Sequence, residues 1–281
     1  MIAITGATGQ LGRLVIAALL QRVPANQLVA LVRDVAKAED LAEQGVEVRH
    51  ADYSQADSWP AALSGVDQLL LISSNELGQR ATQHQTVITA AKAAGVKLVA
   101  YTSVLHADTS LLGLAEEHRQ TEAALHAAGL PHVLLRNGWY HENYLAGVPA
   151  AVEHGALFGA AGSGKISSAP RADYAEAAAV VLTSDGHAGK VYELAGDDSY
   201  TLTQLAEWIS QKADKAVPYN DLPQAEYKAL LEKVGLPEPI AELLSDSDAA
   251  AAKGALFDDG QQLSKLIGRA TVPVRSTLQE L

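Results

Sequence analysis

A glycine motif directly after the first apolar segment is the feature that most constrains the fold. Residues 2–5 predict a short strand that runs straight into Gly6-Ala7-Thr8-Gly9-Gln10-Leu11-Gly12, and residues 10–21 predict a helix. Glycine permits a tight turn and lets the backbone approach a diphosphate, whose charge then meets free amides and the positive end of the helix. This order predicts a dinucleotide site, against the alternative that the glycines serve only a turn.

A repeated rhythm in the first half predicts a parallel sheet. Four times, a helix-like segment ends in a glycine and a short apolar run follows. Glycine after a helix accepts the left-handed conformation that closes the last turn. The apolar runs are nearly continuous, as expected for strands covered by helices on both faces, and alternating β and α units predict a Rossmann-type doubly wound α/β sheet. The glycines are Gly45, Gly65, Gly95 and Gly129, and the runs are 46–50, 66–72, 96–103 and 130–136.

The rhythm changes after Pro149, which indicates a second, smaller and mainly helical region. Residues 173–182 predict a helix capped by Asp173, and residues 190–195 predict a further strand. We therefore expect a dinucleotide-binding domain over residues 1–150, its sheet completed by segments around 165–196. Residues 151–281 are then mostly a substrate-binding lobe.

Composition limits which partners, metals and cellular location the sequence predicts. The formal net charge of −12 makes nucleic acid and anionic membrane surfaces poor candidates. Cysteine is absent, which excludes disulfides and thiolate chemistry. No apolar stretch has the length of a membrane span and no signal peptide is recognisable, so we expect a cytoplasmic protein. The histidines lack a metal-ligand spacing, and no metal is expected. The oligomeric state is open, with a homodimer as one candidate.

The end of the second strand predicts which dinucleotide is preferred. Residues 28–32 end at Arg33, 21 positions after Gly12, where the side chain meets the adenosine ribose. A guanidinium pairs with a 2′-phosphate, whereas a carboxylate there accepts a hydrogen bond from a free 2′-hydroxyl. Arg33 therefore favours NADPH, although Asp34 follows at once and a solvated surface arginine is the alternative.

The remaining site candidates follow the other strands, because ligands of open α/β sheets bind at the carboxyl ends of strands. Small polar residues there can contact ribose hydroxyls, and Trp139 or Tyr140 could cover a nicotinamide, although both are also ordinary packing residues. The predicted cofactor contacts at these ends are Asp52, Tyr53, Ser73, Ser74, Asn75, Thr102, Asn137, Gly138, Trp139 and Tyr140.

Several segments together resemble the NmrA-like branch of atypical short-chain reductases, and within it the bacterial type 2 NAD(P)H:quinone oxidoreductases. They include the glycine motif, Leu71-Ile72-Ser73-Ser74, Tyr101-Thr102-Ser103, residues 135–145 and Tyr192-Glu193-Leu194-Ala195-Gly196. Triphenylmethane reductases are more distantly similar. The resemblance runs over nearly the whole chain and implies two-electron reduction of quinones by NADPH.

The acid–base pair of ordinary short-chain reductases is missing. Those enzymes use Tyr-x-x-x-Lys, in which lysine lowers the tyrosine pKa, whereas here Leu114 and His118 stand at those places. Quinone reduction is less demanding, since the ring accepts hydride readily and proximity can supply much of the rate. Tyr140 and Asn143 are predicted donors to the quinone oxygen, and His118 is a weaker candidate that could be structural.

Two alternatives remain beside the quinone reductase. One is an NmrA-like redox-sensing regulator that binds dinucleotide without turnover, and the other is a reductase of another acceptor such as a triphenylmethane dye.

Overall fold

The computed structural model describes all residues, 1–281, and contains a seven-stranded sheet in the order β3-β2-β1-β4-β5-β6-β8. Every pair from β3 to β6 runs parallel. The strands are Ile2–Ile4 (β1), Leu28–Val32 (β2), Glu47–His50 (β3), Gln68–Leu71 (β4), Leu98–Val104 (β5), His132–Asn137 (β6), Leu157–Gly159 (β7), Val191–Leu194 (β8) and Tyr219–Asp221 (β9). Strands β7 and β9 form a separate two-stranded sheet.

Thirteen α-helices accompany the strands. They are Gln10–Leu20 (α1), Glu39–Glu43 (α2), Trp59–Ala62 (α3), Arg80–Ala94 (α4), Ala115–Ala128 (α5), His141–Leu145 (α6), Val148–His154 (α7), Arg171–Thr183 (α8), Leu202–Ala213 (α9), Gln224–Lys233 (α10), Glu238–Ala251 (α11), Gln262–Ile267 (α12) and Val274–Gln279 (α13). No helix combines the length and the apolarity that crossing a bilayer requires.

The strand order confirms the predicted Rossmann-type fold. The strand order reverses between β1 and β4. The chain leaves these two neighbouring strands in opposite directions along the sheet, which leaves a crevice at their carboxyl ends. The glycines expected to end helices do so: Gly45, Gly65, Gly95 and Gly129 all have positive φ. Strand β2 occupies the residues expected of it, and all five of its residues are buried.

Successive side chains of a strand point to opposite faces of the sheet, so both faces carry apolar side chains and helices cover both of them. On one face, Leu69 and Tyr101 pack in a cluster with Val87 and Ile88 of α4. The other face is covered by α8, which contacts β4 and β5 and packs along α1. A sheet buried on both faces explains why central strands such as β1 and β2 are continuously apolar and not alternating.

Two expected boundaries were wrong. Strand β5 runs to Val104, so Thr102 lies inside the strand and not after it; β6 pairs with this extension through Asn137. Helix α8 begins at Arg171, which places Asp173 in its first turn and not at its cap. In both cases the backbone hydrogen bonds continue past the residue at which local polarity suggested an end.

The contacts between Cα atoms divide the chain into two compact units. Unit 1 comprises residues 1–107, 116–137 and 171–192; unit 2 comprises residues 108–115, 138–170 and 193–281. The assignment of residues 1–150 to dinucleotide binding and of residues 151–281 to substrate binding stays a prediction, because these units describe packing and not binding.

Unit 2 contains a buried carboxyl group. Asp248 of α11 is only 3% exposed, and its oxygens accept hydrogen bonds from the Tyr144 hydroxyl at 2.8 Å and from the Ala160 amide at 2.9 Å. Burial raises the pKa of Asp248 to about 6, because the two hydrogen bonds offset only part of the cost of removing its charge from water.

We expect Asp248→Asn to remove a pH dependence of stability. A carboxyl group whose pKa is raised on folding stabilises the fold at low pH, and this contribution is lost as pH rises through about 6. Between pH 4 and pH 7.5 the wild type should therefore lose about 2 kcal/mol of unfolding free energy relative to the variant. Urea unfolding at both pH values measures the difference.

Glu207→Gln is the matched control, since Glu207 is exposed on α9 of the same unit. It should unfold with the same pH dependence as the wild type. The buried histidines His84, His118 and His141 are present in all three proteins, so we expect their contributions to the pH dependence to cancel in the comparison. A wild type and an Asp248→Asn variant with parallel pH profiles would contradict the prediction.

Candidate cofactor-binding site

A cavity of about 410 Å³ lies in unit 1 at the carboxyl ends of β1, β2 and β4. It is found where the strand order reverses, as expected for a ligand site of an open parallel sheet. Most of the predicted cofactor residues line it, namely Gly6, Thr8, Gly9, Gln10, Leu11, Gly12, Arg33, Asp52, Tyr53, Ser73, Ser74 and Asn75. The sequence motifs thus come together, and their contact with a cofactor stays a prediction.

The glycine motif forms a tight turn that is closed by a backbone hydrogen bond between Gly9 and Gly6. The Gly9 amide donates to the Gly6 carbonyl oxygen at 2.9 Å, and Gly6 has a φ of +57°. A Cβ atom on Gly12 would lie 2.3 Å from that same oxygen and 2.8 Å from the Cα atom of Ala7. Only glycine fits at position 12, because the obstructing atoms belong to the backbone and cannot rotate away.

The N-terminus of α1 lines the cavity without a cap. Gly9 is the N-cap residue, no side chain accepts from the first amides, and the first turn contains no acidic residue. The first amides of a helix have no partner within the helix, and they carry a partial positive charge. These observations fit a diphosphate, which supplies acceptors and negative charge to such a helix end.

Two cations and one capping carboxylate follow β2. Arg33 and Lys37 both line the cavity, and the Arg33 side chain is 72% exposed. Asp34 accepts from the Ala36 amide at 3.1 Å as the cap of the short 3₁₀ helix over residues 35–38. Asp34 therefore has a local structural role, and the two cations fit a ribose 2′-phosphate.

The loop after β2 is held in place by Arg13, the residue that follows Gly12. Its guanidinium donates to the Asp40 carboxylate at 2.5 Å and to the Lys37 carbonyl oxygen at 2.7 Å. The Arg13 partner lowers the pKa of Asp40, so this pair persists to acidic pH. Arg13 thereby connects the helix of the glycine motif to the backbone of Lys37.

Asp52 and Tyr53 form another part of the cavity wall. Burial alone would raise the Asp52 pKa, but hydrogen bonds from the Ser54 hydroxyl and amide outweigh it and lower the pKa. The Tyr53 hydroxyl contacts the Thr5 hydroxyl at 2.7 Å and the Ile72 carbonyl oxygen at 2.6 Å. Asp52 is therefore an ionised acceptor at physiological pH, while Tyr53 joins the ends of β1 and β4.

Hydrogen bonds to side chains of β5 and α4 position the loop after β4. The Ser73 amide donates to Thr102 Oγ1 and the Ser74 amide donates to His84 Nε2, both at 2.9 Å. Because an amide can only donate, His84 must present an unprotonated Nε2; burial, with Arg80 nearby, lowers the His84 pKa to about 3. Thr102 thus shapes the wall from within β5 and is not itself part of the cavity lining.

Several other predicted residues do not line this cavity. Ala7 is buried, with its amide donating to the Leu31 carbonyl oxygen, and Asn137 ends β6. Gly138, Trp139, Tyr140 and Asn143 belong to unit 2, where Tyr140 pairs with Ala169 and precedes α6. The Asn143 amide donates to the Tyr140 carbonyl oxygen at 3.1 Å, so these two predicted donors share one turn. Their catalytic roles stay predictions.

His118 is buried and lies against Tyr101. Its Nδ1 is 2.7 Å from the Tyr101 hydroxyl, and the residue is 4% exposed. Burial, followed by the charge of nearby Arg80, lowers its pKa well below the ordinary value. His118 is therefore neutral and packs between α5 and β5 in unit 1, which fits a structural histidine; the catalytic assignment stays a prediction.

Sequence reasoning missed two charged residues of the cavity, Lys37 and Glu76. Lys37 had a signal, because a second cation four positions after Arg33 returns to the same side of a single turn. Glu76 had none, since its place beside Arg33 depends on how the loop after β4 folds back over 43 positions of sequence.

The NmrA-like family model matches residues 1–277. The chain belongs to the NmrA-like family. Quinone oxidoreductase 2 of Escherichia coli (strain K12) is 59% identical to this NmrA-like chain over 281 residues, covering 100% of the chain and 98% of the relative.

Two solved structures are also similar to this chain. The NADPH-dependent quinone oxidoreductase QOR2 of Escherichia coli, crystallised with NADPH, superposes with a TM-score of 0.98 at 59% identity, covering 100% of this chain and 99% of that one. The Citrobacter sp. triphenylmethane reductase, crystallised with NADP(H), superposes with a TM-score of 0.96 at 42% identity and the same coverage.

We expect Gly12→Ala to weaken NADPH binding at least about tenfold, because the displaced loop loses charge-assisted hydrogen bonds to a diphosphate. Gly9→Ala should have a smaller effect, since its Cβ atom would lie 3.1 Å from the Gly6 oxygen and a small shift relieves the contact. Isothermal titration of each variant with NADPH gives the dissociation constants.

Gly95→Ala is the control for general strain. Gly95 ends α4 with a φ of +73°, open space surrounds its Cα, and it does not line the cavity. This variant should lose about 1 kcal/mol of stability with no change in NADPH affinity. Equal affinity of Gly12→Ala and wild type would rule out the close approach as a binding requirement.

Proposed function

We propose that this protein is an NADPH-dependent reductase that transfers two electrons to quinones. The observation that carries the proposal is the cavity that combines an uncapped helix end for a diphosphate with Arg33 and Lys37 for a 2′-phosphate. Full-length similarity to the quinone oxidoreductase of Escherichia coli supports the choice of acceptor. The acceptor is a small molecule of quinone type, and a sizing column tests whether the protein forms the candidate homodimer.

Bound NADPH would supply a hydride to the quinone, and solvent would supply the proton that completes the hydroquinone. The protein contributes binding and orientation, because its site contains no Tyr-x-x-x-Lys pair to act as proton donor. Tyr140 immediately precedes α6 and Asn143 lies in its first turn. We assign both as donors of hydrogen bonds to the quinone oxygen. Such donors stabilise the negative charge that develops on that oxygen.

Steady-state oxidation of NADPH with benzoquinone, menadione and a triphenylmethane dye tests the function. We expect turnover with both quinones and slower turnover with the dye. Turnover with the dye alone would support the other reductase, in line with the similarity to the Citrobacter enzyme. Tight NADPH binding without turnover of any acceptor would indicate a redox-sensing regulator instead.

Arg33→Ala should weaken NADPH binding about tenfold or more and leave NADH binding nearly unchanged. The guanidinium would form charge-assisted hydrogen bonds only with the 2′-phosphate, which NADH lacks. Fluorescence titration of both cofactors gives the two dissociation constants. An Arg33→Ala variant that binds NADPH as tightly as the wild type would refute the assignment of Arg33.

Tyr140→Phe and Asn143→Ala should each lower turnover with benzoquinone at least about tenfold while leaving the NADPH dissociation constant unchanged. Tyr227→Phe is the matched control, because Tyr227 belongs to α10 of the same unit and loses the same hydroxyl group. Full turnover of Tyr140→Phe and Asn143→Ala would show that neither side chain acts on the acceptor.

A further inference from the structure

An ion pair joins two loops that line the cavity. Arg33 Nη1, after β2, lies 3.4 Å from Glu76 Oε1, after β4. Both side chains remain accessible, at 72% and 49% exposure, so a ligand in the cavity can reach either charge. The group proposed to bind a 2′-phosphate therefore already has a negative partner inside the cavity.

Hydrogen bonds with Gln83 and Ser74 hold Glu76 in position. Its second oxygen, Oε2, accepts from Gln83 Nε2 at 2.7 Å, and its amide donates to Ser74 Oγ at 3.2 Å. Gln83 is 6% exposed on α4, and its amide oxygen accepts from the Ser74 hydroxyl at 2.5 Å. One carboxylate oxygen is thus tied to a buried amide, and the other is directed to Arg33.

A carboxylate fixed beside Arg33 affects the two dinucleotides in opposite ways. A 2′-phosphate must compete with Glu76 for the guanidinium and also bears a like charge, which costs binding free energy. A free 2′-hydroxyl carries no charge and can donate a hydrogen bond to a carboxylate, as in dehydrogenases that use NADH.

We propose that Glu76 is a specificity-determining residue that limits the preference of this cavity for NADPH and retains binding of NADH. The inference rests on the proposed function, because it requires that Arg33 meets the adenosine ribose. Gln83 is the positioning residue that keeps the carboxylate beside Arg33.

Glu76→Gln is the direct test, since glutamine keeps the length of the side chain and a carbonyl oxygen for the Gln83 amide. Isothermal titration without any acceptor would use NADPH, NADH and the fragment 2′,5′-ADP. We expect the dissociation constants of NADPH and 2′,5′-ADP to fall about three- to fivefold, the range of an exposed ion pair. The NADH constant should stay the same or rise.

Two further variants separate the local pair from net charge. Glu39→Gln makes the same change of charge at an exposed position of α2, outside the cavity lining, and should leave the ratio of the NADPH and NADH constants unchanged. In an Arg33→Ala background, Glu76→Gln should have a smaller effect, because the competition for the guanidinium no longer exists and only the repulsion between the carboxylate and the 2′-phosphate remains.

The results distinguish failure of this inference from failure of the proposed function. An unchanged or lower preference for NADPH in Glu76→Gln would overturn the role of Glu76, as would an equal gain in Glu39→Gln. A wild-type protein that binds neither dinucleotide nor 2′,5′-ADP would instead refute the proposed function itself.

Discussion

The approach of Gly12 to the Gly6 carbonyl oxygen is the constraint on which the cavity depends. It lets α1 start immediately after the turn, so that the positive end of the helix meets the carboxyl end of β1. Arg13, next in the chain, then reaches Asp40 and the backbone of Lys37, which orders the loop after β2. One tight turn thus aligns the helix amides that are predicted to bind a diphosphate with the cations that are predicted to bind a 2′-phosphate.

The second wall of the cavity depends on buried polar and charged groups of α4. His84 accepts from the Ser74 amide through Nε2 and contacts Thr121 Oγ1 through Nδ1 at 2.9 Å, so both ring nitrogens have partners in a single tautomer. Arg80 Nε donates to the Ser74 carbonyl oxygen at 2.7 Å. Helix α4 therefore sets the backbone of the loop that carries Glu76, and through Glu76 it influences Arg33.

Local sequence signals were enough for much of the fold and for one side of the site. The glycine motif, the capping glycines and the extent of β2 are encoded within short windows, because a turn or a strand buried on both faces limits which residues fit. Thr102 was misplaced since its polarity suggested a strand end, whereas pairing with β6 extends β5 to Val104. Glu76 could not be found because its partner lies far away in sequence, and only the folded sheet brings the two together.

Each of the two units is made of segments that are not continuous in sequence, and this limits how the protein can be cut into fragments. Unit 1 includes residues 171–192, so a fragment ending near residue 150 lacks α8, the helix that packs along α1. Such a fragment would leave the flank of α1 that packs against α8 without a partner. A single crossover between relatives therefore cannot exchange one unit intact, because each unit is built from several separate segments of the chain.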